Sequence, residues 1–257
     1  MRIARFVLDS DPAFGIVEGD EGNEEVAVIA GDPFFSGIQL TGARHKLEDV
    51  RLLAPIIPRS KVVGIGRNYA EHIKEMGNET PAAPLMFLKP NTSVIGPNEP
   101  MVLPEFSEEV SYEAELCVVI GRICKDVPAE RVDEVIFGYT CGNDLTARDA
   151  QRTDNQWARA KGFDGSAPIG PWIETELDTE DLAVKGWLDG ELKQDGNTAQ
   201  MTWSVKELVA YVSQAFTLLP GDIIMTGTPA GVGTIEAGQR YEVEIEGIGR
   251  LSNTARR

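Results

Sequence analysis

Glu113 and Glu115 lie two residues apart in "EEVSYEAELCVVIG" (108–121), a run that otherwise reads as a strand entering a core. On a strand, residues i and i+2 share a face, about 7 Å apart at the backbone, so two long carboxylates could converge on one cation. The chain is acidic, and similar pairs recur at Glu174 and Glu176 in "IETEL" and at Glu242, Glu244 and Glu246 in "YEVEIEG". Spacing alone does not choose among them. "YEVEIEG" is a clean alternation suited to a solvated sheet face, whereas Glu115 runs on into Leu116, Cys117, Val118, Val119 and Ile120, apolar on both faces. Carboxylates leading into a doubly buried strand need a partner. Asp144, at the end of the apolar run "FGYTCGND", offers a third oxygen donor, with an Asx turn as its alternative role.

The other side chains restrict what such a site could hold. With two histidines, His45 and His72, and three dispersed cysteines, Cys117, Cys124 and Cys141, a His/Cys zinc site is excluded. An all-carboxylate site points to Mg²⁺, Mn²⁺ or Ca²⁺. The odd, unpaired cysteine pattern argues for a reducing compartment, and with no apolar leader or span the expected location is the cytoplasm. A formal charge of −17 repels nucleic acid and anionic membrane surfaces, so neither is expected as a partner.

The elements that must position these groups read as an α+β, strand-dominated chain. Residues 1–57 alternate short apolar runs with Gly, Asp and Pro turns, predicting a small N-terminal β domain, and "LLAPIIPRS" marks its boundary with a main domain over 58–257. "KVVGIGRNYAEHIKEMG" predicts a strand, a glycine turn and a helix stopped at Gly77. Tyr69 stands where a dinucleotide fingerprint needs its third glycine, and no acidic ribose partner follows, so that reading fails. "SVKELVAYVSQAFTLLPGD" predicts an amphipathic helix ending at a Pro-Gly turn, and Asp189-Gly190 a hairpin.

Six ordered motifs, "GRNYAEHIKEMG", "FLKP", "SYEAEL", "GYTCGNDLTARDAQ", "KGFDGSAPIGPW" and "LLPGDIIMTGTPAGVG", resemble the fumarylacetoacetate hydrolase family, in its short acylpyruvase and oxaloacetate decarboxylase-like branch. The resemblance covers about Arg59 to the C-terminus. It implies a mixed β-sandwich or roll and Mg²⁺ or Mn²⁺ held by Glu113, Glu115 and Asp144. It also implies an acid/base dyad of His72 and Glu75 on a lid segment, Lys161 against substrate, Arg148 and Gln151 in the pocket, and Thr228 on a substrate carboxylate. Read from the residues alone, His72 and Glu75 at i,i+3 are commonly an exposed ion pair, and Lys161 a surface lysine. Lys89 of "FLKP" has no assigned role.

The chemistry implied is C–C cleavage of a 2-oxo acid with a β-carboxylate or second carbonyl, through an enolpyruvate whose developing charge the cation holds. Oxaloacetate decarboxylation and acylpyruvate hydrolysis both fit. Isomerisation or decarboxylation of a longer oxo-dicarboxylic acid, or a non-catalytic binding protein on the same fold, are the alternatives. A homodimer is the implied assembly.

Overall fold

The predicted strands form as the short apolar runs suggest, and the computed structural model, which describes residues 1–8, 11–20 and 22–257, gathers them into three sheets. The largest has twelve strands among the described residues. It starts at the N-terminal strands Leu40–Lys46, Glu25–Ile29, Ala13–Glu18 and Arg2–Val7, and crosses Ala167–Glu174, Ile136–Asn143 and Ala114–Ile120. It ends on Ile223–Met225, Val62–Gly66 and Leu85–Lys89. A five-stranded sheet contains Glu191–Asn197, Ala183–Leu188, Arg240–Ile245, Gly249–Arg256 and Met101–Val102; a three-stranded one joins Thr146–Ala147, Val110–Tyr112 and Gly233–Thr234.

The Ala114–Ile120 strand is the centre of the molecule. Leu116, Val118 and Ile120 enter the main core with Val184, Val243 and Ile245 of the five-stranded sheet and Leu208, Val209 and Val212 of the helix Val205–Ala215. Cys117 and Val119 face the other way, against Ile169, Ile173 and Ile223. Burying a Val, Leu or Ile side chain contributes about 1.5–3 kcal/mol, so this run anchors the strand against the cost of the charged groups at its start. The helix starts at Ser204, which forms a reciprocal capping box with Glu207, but it ends at Ala215 rather than at the Pro220-Gly221 turn, because Phe216 is extended and Leu218 bridges Cys124.

Another expectation changes. The run 109–121 is not one strand: it divides into Val110–Tyr112 and Ala114–Ile120, in different sheets, with Glu113 between them. Glu113 and Glu115 therefore do not share a face of one flat strand. The chain turns there because the Glu113 N–H donates to the side-chain Oδ1 of Asn143 at 2.9 Å, while Asp144 N–H donates to Glu113 O at 2.9 Å. Ala114 is still opposite Asn143 in the large sheet, but Ser111 is opposite Thr146 in the small one. The two paired strands leave one sheet for the next together, and Glu113 and Asp144 occupy the corner.

The N-terminal β region joins the main sheet directly. It has its own cluster of Ala4, Phe6, Val17 and Val26, yet Arg2 and Ile3 pair with Glu174 and Ile173, so its strands extend the central sheet. The Pro-rich joint is buried at Leu53, Ala54 and Ile56 rather than hanging as a linker.

Candidate metal centre and active site

At the corner, one carboxylate oxygen each from Glu113, Glu115 and Asp144 lies within 4.8 Å of the others. All three residues are buried, at 4%, 1% and 1% exposure. Their surroundings differ. Glu113 accepts from Arg148 Nη2 and, at 2.8 Å, from Lys161 Nζ. Asp144 accepts from Lys161 Nζ and Lys89 Nζ. Glu115 is reached by neither lysine; its Oε2 accepts from the Gly227 N–H at 2.8 Å. Gly227 has φ +100°, and a Cβ there would meet Asn68 Cβ at 2.8 Å, so the close approach of this backbone depends on glycine.

The electrostatics follow from those partners. Burial works to raise the Glu113 carboxyl, but Lys161 and Arg148 together outweigh it and hold it well below the usual carboxylate range. Glu115 is pushed well above that range by burial, then by the charges of Asp144 and Glu113. Burial opposes the charge on Lys161, but Asp144 and Glu113 keep it raised. Burial lowers Lys89 despite Asp144. The Tyr69 hydroxyl is buried without a hydrogen-bond partner, raised by burial and then by the charge of Glu115.

This donor set fits a hard divalent cation. It is all oxygen and fully buried, and it includes one carboxylate, Glu115, that the protein's own cations leave uncompensated. Three carboxylates face Lys89, Lys161 and Arg148, so a divalent ion would leave this floor positive, ready for an anionic substrate. Lys89 had no role assigned from the sequence. Its signal was available: a lysine closing the apolar run "LMFL" just before Pro90 is a cation carried toward a core.

The remaining expected residues surround the same cavity of about 340 Å³, whose lining includes His72, Glu113, Glu115, Arg148, Gln151, Lys161 and Thr228. His72 and Glu75 lie on the short helix Ala70–Glu75, with His72 Nδ1 3.1 Å from Glu75 Oε2. Glu75 in turn accepts from the Gly231 N–H at 3.0 Å. His72 is buried rather than half of an exposed surface pair. Lys161, at the end of the helix Ala158–Lys161, is 3% exposed, so the surface reading of it is wrong. Arg148 Nη1 donates to Gln151 Oε1 at 3.0 Å, which joins the two pocket residues.

Thr228 differs from its expected use. Its hydroxyl donates to Ala114 O at 2.9 Å and accepts from Gln194 Nε2 at 2.7 Å, so its single proton is already committed. Gln194 also donates to Pro229 O at 2.8 Å, and its Oε1 accepts from Ala114 N–H at 2.9 Å and from the Tyr241 hydroxyl. The peptide between the two glutamates is thus held at its N–H by Gln194 and at its carbonyl by Thr228. Nothing in "GELKQDGN" distinguishes Gln194 in sequence, because its partners come from distant strands.

Comparison with known proteins agrees with this geometry. Residues 61–256 match the family described as fumarylacetoacetate (FAA) hydrolase C-terminal, and residues 1–55 match one described as Rv2993c-like, N-terminal. The chain belongs to the fumarylacetoacetate hydrolase family. Protein Rv2993c of Mycobacterium tuberculosis is 49% identical over 258 residues, covering 98% of this chain and 97% of its own. Among solved structures, 5-carboxymethyl-2-hydroxymuconate delta-isomerase from Mycobacterium smegmatis is 47% identical with a TM-score of 0.93, each chain covered in full. Fumarylpyruvate hydrolase from Pseudomonas aeruginosa, solved with Mn²⁺ and pyruvate, is 35% identical with a TM-score of 0.73, covering 80% of this chain and 99% of that one. Fumarylacetoacetate hydrolase family relatives thus include a hydrolase and an isomerase, and one of them is crystallised with a divalent metal.

Proposed function

We propose that this chain catalyses divalent-metal-dependent C–C bond cleavage of a 2-oxo acid that carries a β-carboxylate or a second carbonyl, as in oxaloacetate decarboxylation or acylpyruvate hydrolysis. The observation that carries this reading is the convergence of the Glu113, Glu115 and Asp144 carboxylates at the floor of a cavity lined by Glu113, Glu115, Lys161, Arg148 and His72. Bound Mg²⁺ or Mn²⁺ would supply a Lewis acid for the carboxylate and 2-oxo oxygens of the substrate, where negative charge develops.

The side chains divide the rest of the work. Glu113, Glu115 and Asp144 hold the ion; Lys161 and Arg148 offset the charge of the arriving anion, and Gln151 orients Arg148. In hydrolysis, a water attacking the second carbonyl gives its proton to His72; the adduct then collapses by breaking the C–C bond to the pyruvate carbon, whose electrons form the enolpyruvate, while the acyl group leaves as a carboxylic acid. A carboxylate accepts only, so Glu75 fixes the proton on Nδ1 and leaves Nε2 as the base. Decarboxylation needs no such water: the departing CO₂ leaves its bonding electrons on the substrate carbon, and a proton later returns there.

A second reading is supported by the high identity to the M. smegmatis isomerase: on a longer oxo-dicarboxylic acid, His72 would move a proton from one carbon to another without bond cleavage. Steady-state kinetics with oxaloacetate, acetylpyruvate, fumarylpyruvate and fumarylacetoacetate, in Mg²⁺, Mn²⁺ and EDTA, separate these. The cleavage reading expects turnover of at least one, lost in EDTA and restored by Mn²⁺. Ion binding without turnover of any would favour the isomerase or a non-catalytic binding protein.

A further inference from the structure

The cations lining the cavity differ in how they are used. Lys161 and Arg148, on the buried floor, are bonded to Glu113 and, for Lys161, Asp144. Arg152, at the exposed rim, is paired with Glu109. Arg67 also lines the cavity, is only partly exposed, and has no acidic partner within 4.0 Å and no side-chain hydrogen bond among the described residues. A guanidinium facing the cavity without a carboxylate partner keeps its donors for an arriving anion.

Its backbone is held in a conformation that side-chain-bearing residues avoid. Arg67 has φ +58°, in the left-handed region. The turn is fixed by its neighbour: Asn68 is fully buried, donates from Nδ2 to Trp203 O at 3.1 Å and Thr226 O at 2.8 Å, and accepts from Trp203 N–H at 2.9 Å. Asn68 thereby ties this turn to the Thr226–Thr228 segment that borders Glu115. The turn that carries Arg67 is fixed relative to the metal ligands.

The burial of the lining gives the cavity a direction. Glu113, Glu115, Lys161, Arg148 and Thr228 are buried, whereas Arg67, Met76 and Arg152 are partly or well exposed. A substrate whose 2-oxo acid end is taken by the floor extends its other end toward the mouth. We infer that Arg67 binds a second, distal carboxylate and makes the site selective for 2-oxo dicarboxylic acids over 2-oxo acids that end in a methyl group. This deepens the reading above and rests on it. A guanidinium offers two parallel N–H donors to a carboxylate, and a charge-assisted pair in a partly dry site discriminates strongly against a ligand that lacks it.

The test needs no turnover. Calorimetric titration of the Mn²⁺-loaded full chain with 2-oxoglutarate and with 2-oxovalerate, equal in chain length but ending in carboxylate or methyl, gives a ratio of affinities. The ratio is expected to favour 2-oxoglutarate in the wild type and to fall about 10- to 100-fold in Arg67→Met, the range for losing a hydrogen-bonded charged partner. Arg67→Lys should recover part of it. Mn²⁺ affinity and thermal midpoint, measured alongside, report whether either variant has lost its fold. A ratio unchanged in Arg67→Met, whether both ligands weaken or neither does, overturns the role of Arg67 while leaving the 2-oxo acid reading standing. If neither ligand binds the Mn²⁺-loaded wild type, the 2-oxo acid reading fails and this inference falls with it.

Discussion

His72 shows how much a single side chain depends on what is placed around it. Three residues along one helical turn put Glu75 beside it, and that spacing was plain in the sequence. Burial and the Gly231 N–H on Glu75 were not; that N–H comes from a chain segment more than 150 residues away. The same holds for Lys161, whose ordinary-looking sequence context hid a buried lysine shared by two carboxylates. If His72 serves as base for water, His72→Ala should lower acylpyruvate hydrolysis by about 10²–10⁴-fold, the usual worth of a positioned base, and lower oxaloacetate decarboxylation much less. Parallel kcat measurements on the two substrates check this; equal losses would contradict that division of roles.

At the scale of elements, the site is made by a corner rather than a strand face. No glycine or proline announces the break at Glu113, so periodicity carried the strand straight through it. The break is chosen by Asn143, which takes the Glu113 N–H, and by Gln194 and Thr228, which take both ends of the Ala114 peptide. What was legible is the apolar run from Leu116 onward and the Gly-rich "TGTP" segment that closes against it. Gln194→Leu removes a buried amide with four hydrogen bonds and leaves the Ala114 N–H, Tyr241 hydroxyl and Thr228 hydroxyl to find other partners. With about 1–3 kcal/mol for each buried group left unsatisfied, a loss of roughly 3 kcal/mol or more is expected. Urea unfolding measures it. Because the strut lies between two ligands, Mn²⁺ affinity should fall as well, whereas an unchanged affinity would show that the corner holds without it.

Over the whole molecule, the sequence pattern correctly implied a strand-dominated fold, and no helix among the described residues is long and apolar enough to cross a membrane. The Pro-rich joint near residue 57 was visible, but the continuity of the sheet across it was not, since the pairing of Arg2 with Glu174 joins residues far apart in the chain. An acidic chain that buries three carboxylates at its centre should gain stability from the ion they hold. At 100 times its dissociation constant, a ligand specific for the folded state adds about 2.7 kcal/mol, which for a chain of this size corresponds to a rise of roughly 5–10 °C in Tm. Thermal melts in EDTA and in excess Mn²⁺ test that, and identical midpoints would speak against a built ion site. The most direct measurement is Mn²⁺ binding followed by electron paramagnetic resonance in wild type and Glu115→Gln, a change that keeps the shape and the acceptor for Gly227 but removes the charge. One tightly held Mn²⁺ per wild-type chain, lost in a variant that still folds, is the predicted result; a wild type that holds no ion, or a variant that holds it equally well, would contradict the account.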